Sequence, residues 1–234
     1  IAGILLGWYL AKKIFIYNNI KDKFDDYVTY VIIGLILGGR LGYVFFYNFD
    51  YYQNNLLDIF KIWQGGMSFH GGLIGIIVST YFFCKINDID FFYLSDLVSI
   101  VAPIGLFLGR IANFINTELI GKPTDFFISV IYPTIDNLPR HPSQLYEALF
   151  EGLVLFIILI SYFFKNNKKI NNGFITGLFL VLYSFFRFII EYIREPDLHL
   201  GLFFNFISMG QILSIPLFIL GIILLRKNEY RKNN

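Results

Sequence analysis

The chain has 234 residues, of which 56% are hydrophobic, and a formal net charge of only +2. No polar stretch is long enough to fold as a separate soluble domain, and the basic residues lie between hydrophobic runs, so nucleic-acid binding is not indicated. The single cysteine, Cys84, excludes a disulfide within the chain. These features predict one all-α polytopic membrane domain over residues 1–234.

Seven hydrophobic runs predict seven transmembrane helices, because several are close to the roughly 20 residues that cross a bilayer. The first run starts at Ile1 and is too short for a complete span, so we expect that the start of its helix precedes the chain. Most basic residues fall in one set of alternate loops and in the C-terminal tail. This bias predicts a cytoplasmic C-terminus, an outer N-terminus and a small periplasmic loop region. The runs lie at about residues 1–11, 28–47, 72–86, 91–109, 143–164, 173–193 and 203–225.

The second run carries Gly34, Gly38 and Gly42 at four-residue spacing. Small residues at this spacing let two helices approach closely, so a tight helix pair is predicted here. Arg40 lies in the same run, and the sequence leaves two interpretations open. Its guanidinium either snorkels to the membrane interface or belongs to a functional helix face that it shares with Tyr43.

Two glycine pairs, Gly65–Gly66 and Gly71–Gly72, flank a segment that ends in His70. Glycine permits positive φ and close backbone approach, so the pairs predict a loop that re-enters from the outer surface. Such irregular backbone persists at membrane depth only where protein or water satisfies its polar groups. Histidine is the residue type that titrates near neutral pH. His70 is therefore a candidate base, although a lone histidine is more often structural.

A group of polar residues follows the fourth run, at Arg110, Asn113, Asn116 and Glu118. A charged side chain at membrane depth costs roughly 3 kcal/mol, so such a residue normally faces a cavity or a partner. The sequence therefore predicts that these side chains line a polar site and do not face lipid.

The fifth run begins with two carboxylates, Glu147 and Glu151, which are four residues apart on one helix face. Two carboxylates on a membrane helix are costly unless they have partners, and arginines are the natural ones. The sequence does not decide whether they belong to a structural ion-pair network or to a functional site.

The sixth run places Tyr183, Arg187, Glu191 and Arg194 on one helical stripe. An ion pair between Arg187 and Glu191, four residues apart, would offset part of the cost of burying both charges. The guanidinium group would still have N–H donors for a phosphate.

The sequence contains no HExxH, G-x-S-x-G or P-loop motif and no Cys/His metal spacing, so metal, serine-hydrolase and nucleotide chemistry are unsupported. Two arginines with a base that titrates near neutrality suit a phosphate-bearing lipid, because arginine stabilises charge on a leaving phosphate. From the residues alone, the chain is a phospholipid-using transferase, a lipid or anion transporter, or a lipid-binding protein. The polar clusters fall on the predicted outer side, which favours the enzyme over the transporter.

Six segments, in order along the chain, resemble the motifs of bacterial prolipoprotein diacylglyceryl transferases. The resemblance extends from Gly34 into the last run. In the family's signature stretch, Ala112 and Thr117 stand where glycines are usual, which changes backbone freedom but removes no functional group. The segments are GGRLGYVFFY, WQGGMSFHGGLIG, GLFLGRIANFINTELIGKPT, PRHPSQLYEALFEG, FRFIIEYIREPD and MGQILSIPL.

The resemblance implies an inner-membrane enzyme that transfers the sn-1,2-diacylglyceryl group of phosphatidylglycerol to the lipobox cysteine thiol of a prolipoprotein. The products would be a thioether-linked lipid and glycerol 1-phosphate, in the first step of lipoprotein maturation. The expected partners are phosphatidylglycerol, the prolipoprotein signal peptide and the bilayer, with no metal or nucleotide cofactor. The active site is expected toward the periplasmic side of the bacterial inner membrane.

The resemblance also implies which residues form the site. The expected catalytic residues are His70, Arg110 and Arg187, and either His70 or a nearby carboxylate is expected to take the proton of the thiol. The expected substrate-binding residues are Arg110, Asn113, Glu118, Gly121, His141, Tyr183 and Glu191.

Overall fold

The computed structural model describes residues 2–15, 18–166, 171–196, 202–203 and 207–233. Within these ranges the protein is mainly helical; Ile1 of the first predicted run and residues 204–206 of the last lie outside them. The main helices are α1 (Ala2–Leu10, extended by the π-helical residues Ala11–Phe15), α2 (Phe24–Phe46), α3 (Phe69–Asn87), α4 (Phe91–Ile115), α5 (Ser143–Lys165, with a π-helical centre at Ala148–Val154), α6 (Phe174–Ile190) and α7 (Met209–Asn233).

Short elements connect these helices. The described strands form two antiparallel pairs, in which Val130 lies opposite Arg140 and Leu202 opposite Ser208. The strands are β1 (Val130–Ile131), β2 (Pro139–Arg140), β3 (Leu202–Phe203) and β4 (Ile207–Ser208), and the short helices are Asn18–Lys21, Phe49–Asn54, Leu56–Phe60 and Ile62–Gln64.

Membrane character is evident in the described helices. Four of them are long and apolar enough to cross a bilayer: α2, α4, α5 and the Met209–Lys227 part of α7. Helix α6 is apolar but shorter. The predicted helical membrane class is therefore confirmed, whereas the count of seven spans and their orientation stay predictions.

The chain divides into two compact units. The first consists of Ile1–Ile14 and Ser95–Asn234, and the second of Phe15–Leu94. The second unit holds α2 and α3, and the first holds α1, most of α4, and α5 to α7. The assignment of the whole chain to one functional domain stays a prediction.

In the second unit, α2 and α3 pack backbone against backbone. A Cβ atom added to Gly38 would lie 2.8 Å from the Cα of Gly75, and one added to Gly42 would lie 2.8 Å from the Cα of Gly71. Gly34 faces Gly75 and Ser79 in the same way. The close helix contact predicted from the glycine spacing is therefore confirmed.

The two predicted glycine pairs differ in structure. Gly65 and Gly66 adopt positive φ of 84° and 79°, which favours glycine. Gly71 and Gly72 instead lie in the first turns of α3. The prediction that Gly71 and Gly72 lie in a loop is therefore wrong. The Ser68 hydroxyl accepts a hydrogen bond from the Gly71 N–H and caps a helix that already contains both glycines.

Arg40 organises the segment that leads into α3. Its side chain is only 3% exposed, and its five N–H groups donate to five backbone carbonyl oxygens at 2.5 to 3.2 Å. The guanidinium carbon also lies 5.1 Å from the centre of the Tyr52 ring. Snorkelling to the interface is therefore wrong for Arg40, because all its donors are used inside the protein. The acceptors belong to Asp58, Ile59, Lys61, Gly65 and Gly66.

In the first unit, α4 provides the N-terminal cap of α6. The Asp96 carboxylate accepts hydrogen bonds from the backbone N–H groups of Gly173 and Thr176, both at 2.7 Å. A carboxylate at this position satisfies free N–H groups and complements the helix dipole. The contact fixes α6 relative to α4, and both helices carry residues of the predicted site.

Helix α5 lies against α4 through Gly152. A Cβ on this residue would come within 2.6 Å of the Phe107 Cβ, so only glycine allows the observed approach. Gly152 belongs to the π-helical stretch, a type of irregularity that is frequent at functional sites. The close contact brings the carboxylates of α5 toward the arginine of α4.

We predict that Gly38→Ala destabilises the protein. The new Cβ would overlap the α3 backbone, and overpacking of this kind costs about 1–3 kcal/mol of unfolding free energy. Thermal unfolding in detergent measures the effect. Gly105→Ala is the matched control, since its Cβ would meet no atom within 4 Å; equal midpoints for the two variants would contradict the tight contact.

We also predict that Arg40→Lys loosens the segment held by Arg40, although the charge is kept. An ammonium group has three donors and cannot reach five carbonyls, and each carbonyl left unpaired costs about 1–3 kcal/mol. Trypsin should cleave after Lys61 faster in this variant than in the wild type. Arg226→Lys, at an exposed position, should leave that rate unchanged, and a wild-type rate in Arg40→Lys would refute the assignment.

Candidate functional site

Three helices of the first unit bring opposite charges together. Arg110 comes from α4, Glu147 and Glu151 from α5, and Arg187 from α6. The four-residue spacing of the two carboxylates directs both to one face of α5. The result is a cluster of ion pairs in the interior of the first unit.

Glu147 lies at the centre of this cluster. Its Oε2 atom is 2.8 Å from a terminal nitrogen of Arg110 and 2.7 Å from one of Arg187. The glutamate side chain is fully buried, whereas those of Arg110 and Arg187 remain 16% and 11% exposed. Two guanidinium groups therefore converge on one oxygen atom and keep an accessible side, as a site for an anionic ligand requires.

Glu151 lies one turn further into α5 and is held less closely. Its oxygens are 3.6 Å from Arg110 and 3.8 Å from Arg187, and its side chain is fully buried. Among the described residues, neither Glu151 oxygen has a hydrogen-bond partner. The sequence expectation that arginines partner both carboxylates is confirmed, and the two contacts are unequal.

The ion pair predicted within α6 is present. The second terminal nitrogen of Arg187 lies 2.8 Å from the Glu191 carboxylate, which also lies 3.5 Å from Arg194. Gly210 allows this arrangement, because a Cβ there would come within 2.8 Å of the carboxylate oxygens. Arg187 thus contacts Glu147 and Glu191 through separate nitrogens, each of which carries a further N–H group.

The chain leaving α4 forms a tight turn around Asn113 and Glu118. The Asn113 side chain donates to the Glu118 carboxylate at 2.8 Å, and the Glu118 N–H donates to the Asn113 carbonyl at 2.9 Å. Thr117 has φ of 57°, in the left-handed region that suits glycine. Threonine adopts this conformation at a cost of about 1–2 kcal/mol.

Gly121 and His141 join two loop segments through their backbones. The Gly121 N–H donates to the His141 carbonyl at 3.1 Å, and the His141 N–H donates to the Lys122 carbonyl at 3.0 Å. A Cβ on Gly121 would overlap the His141 backbone. The His141 ring lies near Tyr146, with Nδ1 3.4 Å from the hydroxyl. Both residues therefore shape the loop, and among the described contacts none joins either residue to Arg110 or Arg187.

Arg140 links three parts of this loop region. Its guanidinium lies 2.6 Å from Asp136 and 2.8 Å from Glu195, and it donates to the Gly121 carbonyl at 3.1 Å. The guanidinium lowers the pKa of the Asp136 carboxyl, so the contact persists at neutral pH and is lost only as the pH falls into the acid range. Arg140 was not among the predicted site residues, since nothing in its sequence neighbourhood indicates a carbonyl contact.

The two remaining predicted residues belong to different units of the chain. Tyr183 precedes Arg187 by one turn of α6, and its ring stacks on Phe179 at 5.7 Å. His70 belongs to the second unit, in the first turn of α3, and its side chain is exposed. The structure therefore brings Arg110, Arg187 and Glu191 into one cluster, and Tyr183 lies beside it and interacts electrostatically with both arginines.

Sequence reasoning left Glu147 and Glu151 out of the site residues. Their spacing and the cost of charge in a membrane were the available signals. Those signals indicated partners but gave no reason to place the pair at the centre of the site.

Comparison with known proteins assigns the family. The model of the prolipoprotein diacylglyceryl transferase family matches residues 1–226. A phosphatidylglycerol–prolipoprotein diacylglyceryl transferase of Rickettsia bellii is 53% identical over 234 residues, which are 99% of this chain and 89% of that protein. Proteins of the same name from Rickettsia felis and Rickettsia canadensis are 50% and 51% identical over 94% of this chain and 86% of their own length. The chain therefore belongs to the prolipoprotein diacylglyceryl transferase family.

Proposed function

We propose that this chain transfers the sn-1,2-diacylglyceryl group of phosphatidylglycerol to the lipobox cysteine thiol of a prolipoprotein. The products are a thioether and glycerol 1-phosphate. The relatives' shared name supports the two substrates, since the identity extends over nearly the whole chain. The observation that carries the mechanism is the convergence of Arg110 and Arg187 on one carboxylate oxygen.

Arg110 and Arg187 are the groups that hold the phosphate. Guanidinium groups bind phosphate oxygens through paired N–H donors, as they bind carboxylate oxygens. Glu147 holds both groups in position before the lipid arrives, so their donors already point to one place. As the bond from the glyceryl carbon to the phosphate oxygen breaks, negative charge grows on the phosphate, and a preorganised pair of cations stabilises it.

Neighbouring residues orient the two arginines and shape the loop that follows α4. Glu191 holds Arg187 through its second terminal nitrogen, and Asn113 and Glu118 fix the turn that follows Arg110. Tyr183 lies on the Arg187 face of α6. In the loop region, Gly121 and His141 contribute to substrate binding through the shape that they give to the backbone.

His70 is the proposed base for the thiol. The thiolate is the nucleophile and an ordinary thiol has a pKa near 8.5, so a base accelerates its formation at neutral pH. His70 lies in the first turn of α3, which Ser68 caps, and the segment held by Arg40 comes directly before this turn. The His70 side chain is exposed and therefore accessible.

The proposed location is the bacterial inner membrane, with the N-terminus outside, the C-terminus cytoplasmic and the active site toward the periplasm. The apolar helices support residence in a membrane. The basic residues of the C-terminal tail support the orientation.

Turnover tests the function. We expect purified protein, mixed with phosphatidylglycerol and a lipobox peptide, to release glycerol 1-phosphate while the peptide gains the mass of a diacylglyceryl group. Arg110→Gln and Arg187→Gln should each lower the rate by about 100-fold or more, because the loss of one charge-stabilising donor has this effect in other enzymes.

The control for this experiment is Cys84→Ser. Cys84 is buried in α3, and the substrate supplies its own thiol, so this variant should retain the wild-type rate. Thermal unfolding of each variant separates loss of activity from loss of folding. Folded arginine variants with wild-type rates would overturn the phosphate-binding role, and lipid binding without peptide modification would overturn the transferase assignment.

A separate prediction concerns His70. We expect His70→Gln to lower the rate and to change the dependence of the rate on pH, because the variant lacks the proposed base. The measurement is the pH–rate profile at saturating phosphatidylglycerol. An unchanged profile would show that another group accepts the proton.

A further inference from the structure

Glu151 is a buried carboxylate to which the proposed reaction assigns no role. Its side chain has no exposed surface, and neither of its oxygens accepts a hydrogen bond from any described residue. Buried polar atoms are almost always hydrogen-bonded in native proteins, so a carboxylate with two unpartnered oxygens needs an explanation. Glu147, one turn earlier, already takes the close contacts with both arginines.

The groups around Glu151 come from three helices. Arg110 of α4 lies 3.6 Å away and Arg187 of α6 lies 3.8 Å away. Among the described residues, Glu147 on α5, Tyr183 on α6 and Glu191 at the end of α6 also interact with it electrostatically. The cluster of three arginines and three glutamates, which includes Arg194, is neutral in total when every group is ionised.

The reaction changes the charge beside this cluster. Phosphatidylglycerol brings one negative charge on its phosphodiester, and the departing glycerol 1-phosphate carries two. An uncompensated charge is expensive in a buried setting. The thiol releases one proton in the same step. If this proton is retained near the phosphate, the total charge stays constant.

We propose that Glu151 takes up this proton and holds it while glycerol 1-phosphate occupies the two-arginine site. The neutral acid no longer attracts Arg110 and Arg187, so the phosphate dianion competes with one carboxylate fewer for the two guanidinium groups. Glu151 is thus a positioning residue that acts through the arginines, and its role rests on the proposed function.

The bonds and charges balance. The S–H bond of the lipobox cysteine breaks and a bond from sulfur to the glyceryl carbon forms. The bond from that carbon to the phosphate oxygen breaks, and its electron pair remains on the oxygen. The proton leaves the thiol through the primary base, ends on Glu151, and returns to water when glycerol 1-phosphate dissociates.

Calorimetric titration with glycerol 1-phosphate tests the proposal without turnover. Binding is measured near pH 8, about two units above the second pKa of a phosphate monoester, so the free ligand is a dianion. Titrations in two buffers of different ionisation enthalpy give the number of protons taken up. We expect about one proton per ligand bound by the wild type and about none by Glu151→Gln, which should still bind because its amide imitates the neutral acid.

Asp22→Asn is the matched control, because it makes the same change from carboxylate to amide at an exposed position outside the cluster, and it should bind the ligand with the wild-type uptake. Infrared difference spectra of the wild type give a second measurement that needs no variant, since a new carboxylic-acid carbonyl band should arise on binding. Wild-type uptake in Glu151→Gln, or binding by the wild type without uptake and without the band, would overturn the role of Glu151 alone. A wild type that turns over the lipid but does not bind glycerol 1-phosphate would overturn the two-arginine phosphate site as well.

Discussion

The contact of Arg110 and Arg187 with Glu147 is the interaction on which the first unit depends. A fully buried charge such as that of Glu147 has to be neutralised by a neighbour, because solvent does not reach it. This requirement ties α4, α5 and α6 together at one depth along their axes. The glycines nearby follow from it: Gly152 lets α5 approach α4, and Gly210 leaves space for the Glu191 carboxylate. Small side chains thus accompany the charges because the charges determine where the helices meet.

The same contact relates structure to chemistry. An enzyme gains most from charges that are oriented before the reaction, because little reorganisation remains when the transition state forms. In this protein the orientation comes from carboxylates that themselves occupy donors of the arginines. The substrate phosphate therefore competes with internal anions, and the affinity for the lipid depends on how closely each glutamate holds its partner. The close contacts of Glu147 and the longer ones of Glu151 give the two residues different parts in this competition.

Features that repeat along the sequence were predictable. The spacing of Gly34, Gly38 and Gly42 predicted a close helix pair, and the spacing of Arg187 and Glu191 predicted an ion pair, because helical periodicity places both sets on one face. Polar residues in or beside apolar runs had already indicated Arg110 and His70, and the family resemblance added Gly121 and His141 to the candidates.

Contacts between side chains and distant backbone were not predictable. Arg40 and Arg140 donate to carbonyl oxygens, which every residue possesses, so no residue type in the partner segment signals the contact. The helical conformation of Gly71 was missed for a related reason. Glycine is compatible both with a loop and with a crowded helix interface. The helical conformation is favoured here by the Ser68 cap and by the close approach of the α2 backbone.

The five carbonyl contacts of Arg40 also determine which changes the segment between residues 58 and 66 can tolerate. The guanidinium recognises the path of the backbone and not the identity of the side chains. Substitutions that preserve the path, including most at Ile59, keep every acceptor in place. An insertion or deletion moves several acceptors at once. This part of the chain can therefore vary in sequence among related proteins while its length stays fixed, which is the reverse of the behaviour usual for a surface loop.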